Sequence, residues 1–380
     1  MATTETTVVS WTSRLGSSFR GILVGLVLFI LGFPLLFWNE GRTVTATRTN
    51  EFGADNVVEA EAGSVNAEQD GELVHVVGEA TTDAVLTDDE YGVSATAFQL
   101  ARKVEMYQWV EESHTREEKK LGGKIEKTTT YSYVKEWCSS AVNSDTFHEK
   151  DKVNPPARRT LGSDCIYAPS ATLGARRLTE SQIKRLGGST PLVTKYNPVG
   201  TNEFFEVTAV PAPKVGDIRV TFSVVKAPKT ITVVAAQKGD TFTKYTVKDT
   251  KQSISHVLDG SVDAAGVFAA AERGNTLMAW ILRLAGFFLM FTGLKMVLAP
   301  LQVLADVVPF IGSIVGFGTG LVAFAVAAPC ALVTIAVAWF FYRPVLSCIL
   351  LAIAAGIVYL VWSKKKAKKD AAAAAAPTAA

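Results

Sequence analysis

Residues 32–42 read GFPLLFWNEGR, and here a run of bulky apolar side chains changes within two positions to Asn39, Glu40, Gly41 and Arg42. The apolar run extends from Gly21 to Trp38 without a charge. As a helix that rises about 1.5 Å per residue it covers about 27 Å, close to the roughly 30 Å hydrocarbon core of a bilayer. The edge is therefore the end of a membrane helix, of a buried helix or of a signal peptide.

An uncleaved membrane anchor is favoured over a signal peptide. Arg14 and Arg20 precede the apolar run, as in both kinds of segment. A signal peptide needs small residues at its cleavage site, and residues 33–38, FPLLFW, provide none. We therefore predict transmembrane helix 1 over residues 21–38, with Trp38 at the level of the lipid headgroups.

The C-terminal third carries further apolar segments. Residues 277–299 predict transmembrane helix 2, although Arg283 and Lys295 interrupt the run. Each charge must snorkel to an interface or face a partner in the bundle, and snorkelling is the default. Residues 300–316, which contain Asp306 and Pro309, predict an interfacial or re-entrant segment. Residues 317–342 and 345–362 predict transmembrane helices 3 and 4.

Lysines after the last apolar run set the expected orientation. They are Lys364, Lys365, Lys366, Lys368 and Lys369. Such clusters mark the cytosolic end of a membrane segment. Four crossings then make residues 1–20 a cytosolic N-terminal segment and residues 363–380 a basic and Ala-rich cytosolic tail. Residues 39–276 become a lumenal domain.

The lumenal domain has mainly the two-residue periodicity of strands. Segments 103–111 and 128–137 alternate and predict a long hairpin with a charged tip at Gly122 and Gly123. Further strands are predicted over 217–226, 230–237 and 241–247, and helices over 94–102, 180–186 and 262–273. The expected fold is four transmembrane α-helices plus a large α+β lumenal domain rich in antiparallel β-sheet.

Several functional classes are disfavoured by composition and motifs. The net charge is only +2, and no Arg-rich stripe with interleaved aromatics indicates nucleic-acid binding. His75, His114, His148 and His256 are scattered, and the chain has no CxxC or HExxH motif. We therefore expect no catalytic, cofactor or metal site, and a protein that is not an enzyme.

Two cysteines of the lumenal domain leave their bonding state open. Cys138 and Cys165 would face an oxidising compartment. A disulfide between them and two free thiols are equally compatible with the sequence.

Five dispersed segments resemble the LUMA family, also called transmembrane protein 43. They are FPLLFWNEGR, RKVEMYQWVEE, TTTYSYVKEW, VGDIRVTFS and the ending WFFYRP, and they occur in the family's order. The resemblance implies a four-pass protein of the endoplasmic reticulum and inner nuclear membrane with a large lumenal domain. It also implies nuclear-envelope organisation, self-association as a homo-oligomer, and binding to other envelope proteins such as emerin and lamins. It implies no catalytic residues.

Two functions remain as hypotheses. In the first, the protein scaffolds membrane complexes, and Gly312, Gly316 and Gly320, at four-residue spacing, ease helix packing between copies or within one chain. In the second, Arg283, Lys295 and Asp306 line a polar path through the bundle, as in a conduit or a lipid-handling protein.

The exit motif of residues 38–42 receives a structural hypothesis. Glu40 and Arg42 are expected to seat the lumenal domain against the membrane surface. Gly41 is expected to allow a sharp turn between helix and strand.

Overall fold

The computed structural model describes residues 3–157, 160–192, 203–205, 213–345 and 347–349. They divide into two compact units. Unit 1 holds the residues up to Ser10, Arg48–Lys120 and Lys124–Arg273. Unit 2 holds Trp11–Thr47, Leu121–Gly123 and the described residues from Gly274 onward.

The helices of the described residues are α1 (Trp11–Asn56), α2 (Glu180–Ile183), α3 (Ala264–Ala305) and α4 (Pro309–Tyr342). The first strands are β1 (Thr3–Val9), β2 (Val58–Glu59), β3 (Leu73–Thr81), β4 (Val85–Asp88), β5 (Val93–Lys119), β6 (Ile125–Cys138), β7 (Gly162–Tyr167), β8 (Thr172–Leu173) and β9 (Arg176–Arg177). The later strands are β10 (Thr190–Pro191), β11 (Glu203–Phe205), β12 (Ile218–Lys226), β13 (Lys229–Lys238), β14 (Thr241–Thr243), β15 (Tyr245–Thr246), β16 (Ser253–Ile254) and β17 (His256–Asp259).

Unit 1 is built on two larger sheets. The first has the order β1-β6-β5-β12-β10, with β4 and β7 paired to β5 and β11 paired to β12. The second has the order β17-β13-β14-β9-β8-β3-β2, with an additional pairing of β13 with β3. Apolar side chains of both sheets, including Val76, Phe98, Phe222 and Val233, form one buried cluster. The expected domain rich in antiparallel sheet is therefore present.

The long hairpin predicted from residues 103–111 and 128–137 is confirmed. Strands β5 and β6 pair antiparallel from Met106 opposite Cys138 to Lys119 opposite Ile125. Gly122 and Gly123 at its tip have φ of 81° and 74°, values that glycine adopts without the clash of a Cβ atom.

The helix predicted over residues 94–102 is wrong, because this segment is the first part of β5. Strand β5 pairs with β12 on one edge and with β7 on the other over this stretch. Phe98 and Leu100 point into the core, with at most 1% of their surface exposed. Pairing and burial outweigh the local helix preference of an Ala-rich segment. The helix predicted over residues 180–186 is present as the shorter α2 (Glu180–Ile183). The helix predicted over residues 262–273 is the start of α3, which begins at Ala264.

The N-terminal segment forms a strand that the sequence did not indicate. Strand β1 pairs antiparallel with β6, from Thr3 opposite Tyr131 to Val9 opposite Ile125. Paired strands share one environment. The pairing brings β1 beside the hairpin of the predicted lumenal domain, whereas the sequence predicts opposite membrane sides for residues 1–20 and 39–276; those sides stay predictions.

Three helices of the described chain, α1, α3 and α4, are long and apolar enough to cross a membrane. Helix α1 contains the predicted span 21–38 but continues without a break to Asn56. Helix α3 contains the span 277–299, and α4 ends at Tyr342, where the third predicted span ends. The predicted segment 300–316 is not a separate element, since it holds the end of α3 and the start of α4. Most of the predicted span 345–362 lies outside the described residues.

Candidate functional site: polar clusters of the helical bundle

Helices α1, α3 and α4 form the bundle of unit 2, and α3 runs antiparallel to both of the others. Gly25 of α1 lies beside Gly293 of α3, and Leu36 lies beside Gly286. A Cβ atom built on Gly25 would lie 2.5 Å from the Gly293 carbonyl oxygen, and one built on Gly293 would lie 2.5 Å from the Gly25 carbonyl oxygen. Glycines therefore let the two backbones approach where larger residues could not fit.

A buried ion pair joins α1 to α3 and is completed by α4. Arg283 Nε donates to Glu40 Oε1 at 2.7 Å, and its Nη2 donates to Oε2 at 2.8 Å. Trp339 Nε1 donates to the same Oε2 at 2.8 Å. The Glu40 side chain is only 2% exposed, against 18% for Arg283. This Glu40 cluster, made of Glu40, Arg283 and Trp339, connects all three helices through one carboxylate.

Two asparagines extend the polar contacts beside the Glu40 cluster. Asn39, which is fully buried, donates through Nδ2 to the Ala279 carbonyl oxygen at 3.1 Å. Asn275 donates to the Thr43 carbonyl oxygen at 3.1 Å. Both bonds run between α1 and α3, so the polar residues that follow the first apolar run are buried in the helix contact. Asn39 Oδ1 has no hydrogen-bond partner among the described residues.

A second cluster lies at the other end of the bundle. Arg14 near the start of α1 forms an ion pair with Asp306, which is fully buried in the turn between α3 and α4. Trp11 Nε1 donates to the Val303 carbonyl oxygen at 2.8 Å. Arg14 also donates to the Gly123 carbonyl oxygen at 2.6 Å. We call Trp11, Arg14 and Asp306 the Asp306 cluster.

The two clusters bracket the apolar span of α1. Arg14 and Glu40 are 26 positions apart, which is about 39 Å along a helix. A bilayer is about 40–45 Å thick with its headgroup regions and about 30 Å thick in its hydrocarbon core. A bundle that crosses the membrane along α1 would therefore hold both clusters near the interfaces rather than at the centre. There the cost of dehydrating the charges is smaller.

The structure changes the interpretation of the exit motif. Trp38 is 56% exposed on the bundle surface. The hypothesis of a turn at Gly41 is wrong, because Gly41 lies inside α1, where an added Cβ would meet the Tyr342 ring at 2.6 Å. The seating role of Glu40 is also wrong, since Glu40 binds Arg283 within the bundle. Arg42 is half-buried, with Nη2 3.4 Å from Thr43 Oγ1.

The predicted intramembrane charges have different surroundings. Arg283 does not snorkel, since it faces Glu40. Asp306 faces Arg14. Lys295 is exposed on the surface of α3. The lysines at 364–366, 368 and 369 lie outside the described residues. Thus the structure pairs two of the three charges with residues of α1, Arg283 with Glu40 and Asp306 with Arg14, at opposite ends of the bundle.

The glycine stripe of α4 is used partly within the chain. A Cβ on Gly312 would meet Asp306, and one on Gly316 would meet Gln302, both closer than 3.0 Å. No described residue lies within 4 Å of such an atom on Gly320. The first two glycines therefore serve the packing of α4 on α3 and its preceding turn.

Cys138 and Cys165 are free thiols, so the disulfide is absent. Cys138 lies opposite Met106 of β5, and Cys165 lies opposite Ala101. Five residues along a strand correspond to about 16 Å, whereas bridged Cα atoms lie within about 7 Å. Burial raises the pKa of the Cys138 thiol, and Glu136 and Glu105 add to the effect.

The contacts of Trp339 with Glu40 and of Arg14 with Asp306 are ones that sequence reasoning missed. The sequence does contain a signal for the ion pair. Glu40 follows the first predicted span and Arg283 lies near the start of the second, so antiparallel packing of the two spans brings these opposite charges to the same level. No comparable signal indicates Trp339, since an aromatic residue near the end of a membrane helix is ordinarily an interfacial anchor.

A groove in unit 1 is a weaker candidate for ligand binding. It has a volume of about 520 Å³ and is lined mainly by hydroxyl-bearing and small side chains, including Thr82, Ser170, Thr172 and Thr241. Thr82 Oγ1 donates to the Ser170 carbonyl oxygen, so this hydroxyl already has an internal partner. Among the described residues, no group of three or more His, Cys, Asp and Glu side chains is arranged to hold a metal ion.

Comparison with known proteins agrees with this architecture of apolar helices and a large β-rich unit. The family model described as transmembrane protein 43 matches residues 106–344. The chain is 33% identical over 375 residues to transmembrane protein 43 of Rattus norvegicus and of Homo sapiens, covering 94% of this chain and 93% of each relative. It is 28% identical to the transmembrane protein 43 homolog of Drosophila melanogaster, covering 93% of this chain and 97% of that protein. No solved structure matches it significantly. The chain therefore belongs to the transmembrane protein 43 family.

Proposed function

We propose that this protein is a non-enzymatic multi-pass membrane protein that organises or scaffolds membrane protein complexes in the endoplasmic reticulum and nuclear envelope. In this proposal the protein contacts membrane lipid and self-associates as a homo-oligomer. It binds other membrane proteins of these compartments through unit 1. The family membership supports the membrane part of this proposal, and the interior of the bundle supports the scaffold part.

The Glu40 cluster is the observation that carries the proposal. The polar residues of a transport path face a water-filled cavity. Here the Glu40 carboxylate accepts hydrogen bonds from Arg283 and Trp339 and is almost fully buried. Arg14 and Asp306 neutralise each other at the other end of the bundle. These charges favour a role in fixing the helices, as a rigid scaffold requires.

A test combines proximity labelling with cross-linking in native membranes. A labelling enzyme inserted after Gly63, in an exposed loop of unit 1, reports the compartment and the neighbours together. We expect labelled membrane proteins of the endoplasmic reticulum and nuclear envelope, and cross-linked species larger than one chain. Labelling confined to another compartment would refute the location, and recovery of monomer alone would refute self-association.

The orientation is proposed with the C-terminal lysines on the cytosolic side. For the N-terminus, positive residues before α1 favour the cytosolic side, whereas the β1–β6 pairing opposes it. An epitope after Met1 and one near Gly122 decide the matter in sealed microsomes. The sequence-based topology requires digestion of the first and protection of the second, whereas the strand pairing requires the same result for both.

A membrane conduit or lipid-handling protein is the second candidate, and exposed Lys295 in the apolar part of α3 is the observation that favours it. Lys295→Met and Arg283→Met separate the two functions. Loss of solute or lipid transfer in Lys295→Met with preserved assembly would support the conduit. For the scaffold, we expect Lys295→Met to be neutral and Arg283→Met to weaken the bundle and its assemblies.

A further inference from the structure

His75 of β3 is a buried histidine whose two ring nitrogens both contact acceptors. Nδ1 lies 2.6 Å from Glu59 Oε2, and Nε2 lies 2.8 Å from the Val262 carbonyl oxygen. The His75 side chain is 3% exposed, whereas Glu59 is 73% exposed. We call His75, Glu59 and Val262 the His75 latch.

These partners occupy special positions in the chain. Glu59 belongs to β2, which follows the end of α1 at Asn56 by two residues. Val262 lies two residues before the start of α3 at Ala264. One imidazole therefore contacts the segment that leaves the first long helix and the segment that enters the next one.

The chemistry of the acceptors requires two protons on the ring. A carbonyl oxygen only accepts, so Nε2 must carry hydrogen to bond Val262. A glutamate carboxylate also only accepts, so Nδ1 must carry hydrogen as well. A neutral imidazole has a single N–H and can serve only one of the two. Full formation of the latch is therefore limited to the imidazolium.

The two contacts differ in what else supports them. The Val262 segment is held additionally by Thr232, whose Oγ1 accepts from Val262 N at 3.0 Å and donates to the Gly260 carbonyl oxygen at 2.8 Å. The Glu59 side chain has no such support and is exposed to water. On loss of one proton, the ring should keep Val262, and its Nδ1 lone pair should repel Glu59.

We infer that His75 is a proton-controlled latch that fastens the segment after α1 to the segment before α3 when charged and releases Glu59 when neutral. The β2–β3 backbone pairing of Val58 with Val74 and of Glu59 with His75 remains in either state. Deprotonation therefore loosens β2 rather than unfolding unit 1.

Among the described residues, His256 and Asp263 are further titratable groups beside the latch. His256 of β17 lies in the same row of the sheet, separated from His75 by Val234 of β13. Burial lowers the pKa of His256, and Arg185 lowers it further, so His256 gains charge only at more acidic pH. Asp263, next to Val262, accepts a hydrogen bond from Gly266 N.

Histidine NMR of the full chain in nanodiscs tests the protonation step. The chain has four histidines, so selective labelling of the imidazole gives four signals, assigned by substitution. Glu59→Gln removes the anion while leaving His75 in place. We expect the Nδ1–H signal of His75, protected by the hydrogen bond to Glu59 in the unsubstituted protein, to be lost to exchange with water in Glu59→Gln. Glu79→Gln, an exposed change on the same strand, should leave it unchanged.

Amide hydrogen exchange tests the mechanical consequence. After correction for the intrinsic pH dependence, we expect residues 57–61 to exchange several-fold faster at pH 8.5 than at pH 6 in the unsubstituted protein and in Glu79→Gln. In Glu59→Gln this difference should vanish. A protected His75 Nδ1–H signal that persists in Glu59→Gln, or exchange of residues 57–61 that does not respond to pH, would overturn the inference.

Discussion

Removing Arg283 should destabilise the bundle more than removing Arg283 and Glu40 together. Arg283→Met takes away two of the three hydrogen bonds to a carboxylate that is 2% exposed. Breaking a buried ion pair on one side costs about 3–5 kcal/mol, because the remaining charge stays buried without compensation. Glu40→Met should cost less, since Arg283 is 18% exposed and can reach water.

The double variant Glu40→Met/Arg283→Met replaces the pair by apolar side chains of similar length. Such replacements are often neutral or stabilising, so we expect a cost below about 1 kcal/mol, to which the orphaned Trp339 indole contributes. The coupling between the two positions should then be at least about 2 kcal/mol in favour of the double variant.

The assay is equilibrium unfolding of the full-length protein in mixed micelles with increasing SDS, followed by far-ultraviolet circular dichroism. Lys295→Met, which removes an exposed charge from the same helix, is the matched control and should change the unfolding free energy by less than about 0.5 kcal/mol. The reasoning fails if the double variant loses as much stability as the sum of the single variants. It also fails if Arg283→Met behaves like Lys295→Met.

Three further results are expected. Gly293→Leu should prevent the approach of α3 to the Gly25 backbone and abolish the monodisperse peak in size-exclusion chromatography. Gly320→Leu should preserve the peak, because no described residue lies within 4 Å of a Cβ added there. Cysteines introduced at Thr6 and Thr128, which face each other in β1 and β6, should form a disulfide on mild oxidation. If no disulfide forms, β1 and β6 do not pair in the membrane-embedded protein. Burial raises the pKa of Glu105, but hydrogen bonds from Lys103 and Arg219 outweigh it and lower the pKa overall. The folded-state pKa lies below the unfolded value, so this stability is present above about pH 4.5 and is lost as pH falls further, a loss that Glu105→Gln should reduce in acid unfolding curves.

The β1–β6 pairing has a consequence for how this chain can cross the membrane. If α1 spans the bilayer, the chain leaves it on the side opposite to β1, yet part of β6 must share the environment of β1. A charged hairpin does not enter lipid, because its backbone edges and ionised side chains would lose water without replacement. The cysteine pair therefore distinguishes a membrane arrangement that accommodates the pairing from one in which β1 is detached.

The sequence by itself determined the elements whose signal is local. An uncharged run from Gly21 to Trp38 predicts a span because length and apolar content alone decide insertion. Alternating apolar residues around Met106 and Tyr133 predict a hairpin, because successive side chains of a strand point to opposite faces of the sheet. The family resemblance rests on the same local segments.

Tertiary structure decided what depends on residues far apart in the chain. Glu40 is read from the sequence as an interfacial charge after a helix, and only the antiparallel packing of α3 brings Arg283 to it across 243 positions. Gly41 resembles a turn residue locally, but α1 continues through it, and the Tyr342 ring packs where a side chain at this position would lie. His75 gains two acceptors only when β2 and the segment before α3 meet at β3. Side-chain burial and ion pairing are properties of contacts, and contacts are fixed by the fold rather than by neighbouring letters in the sequence.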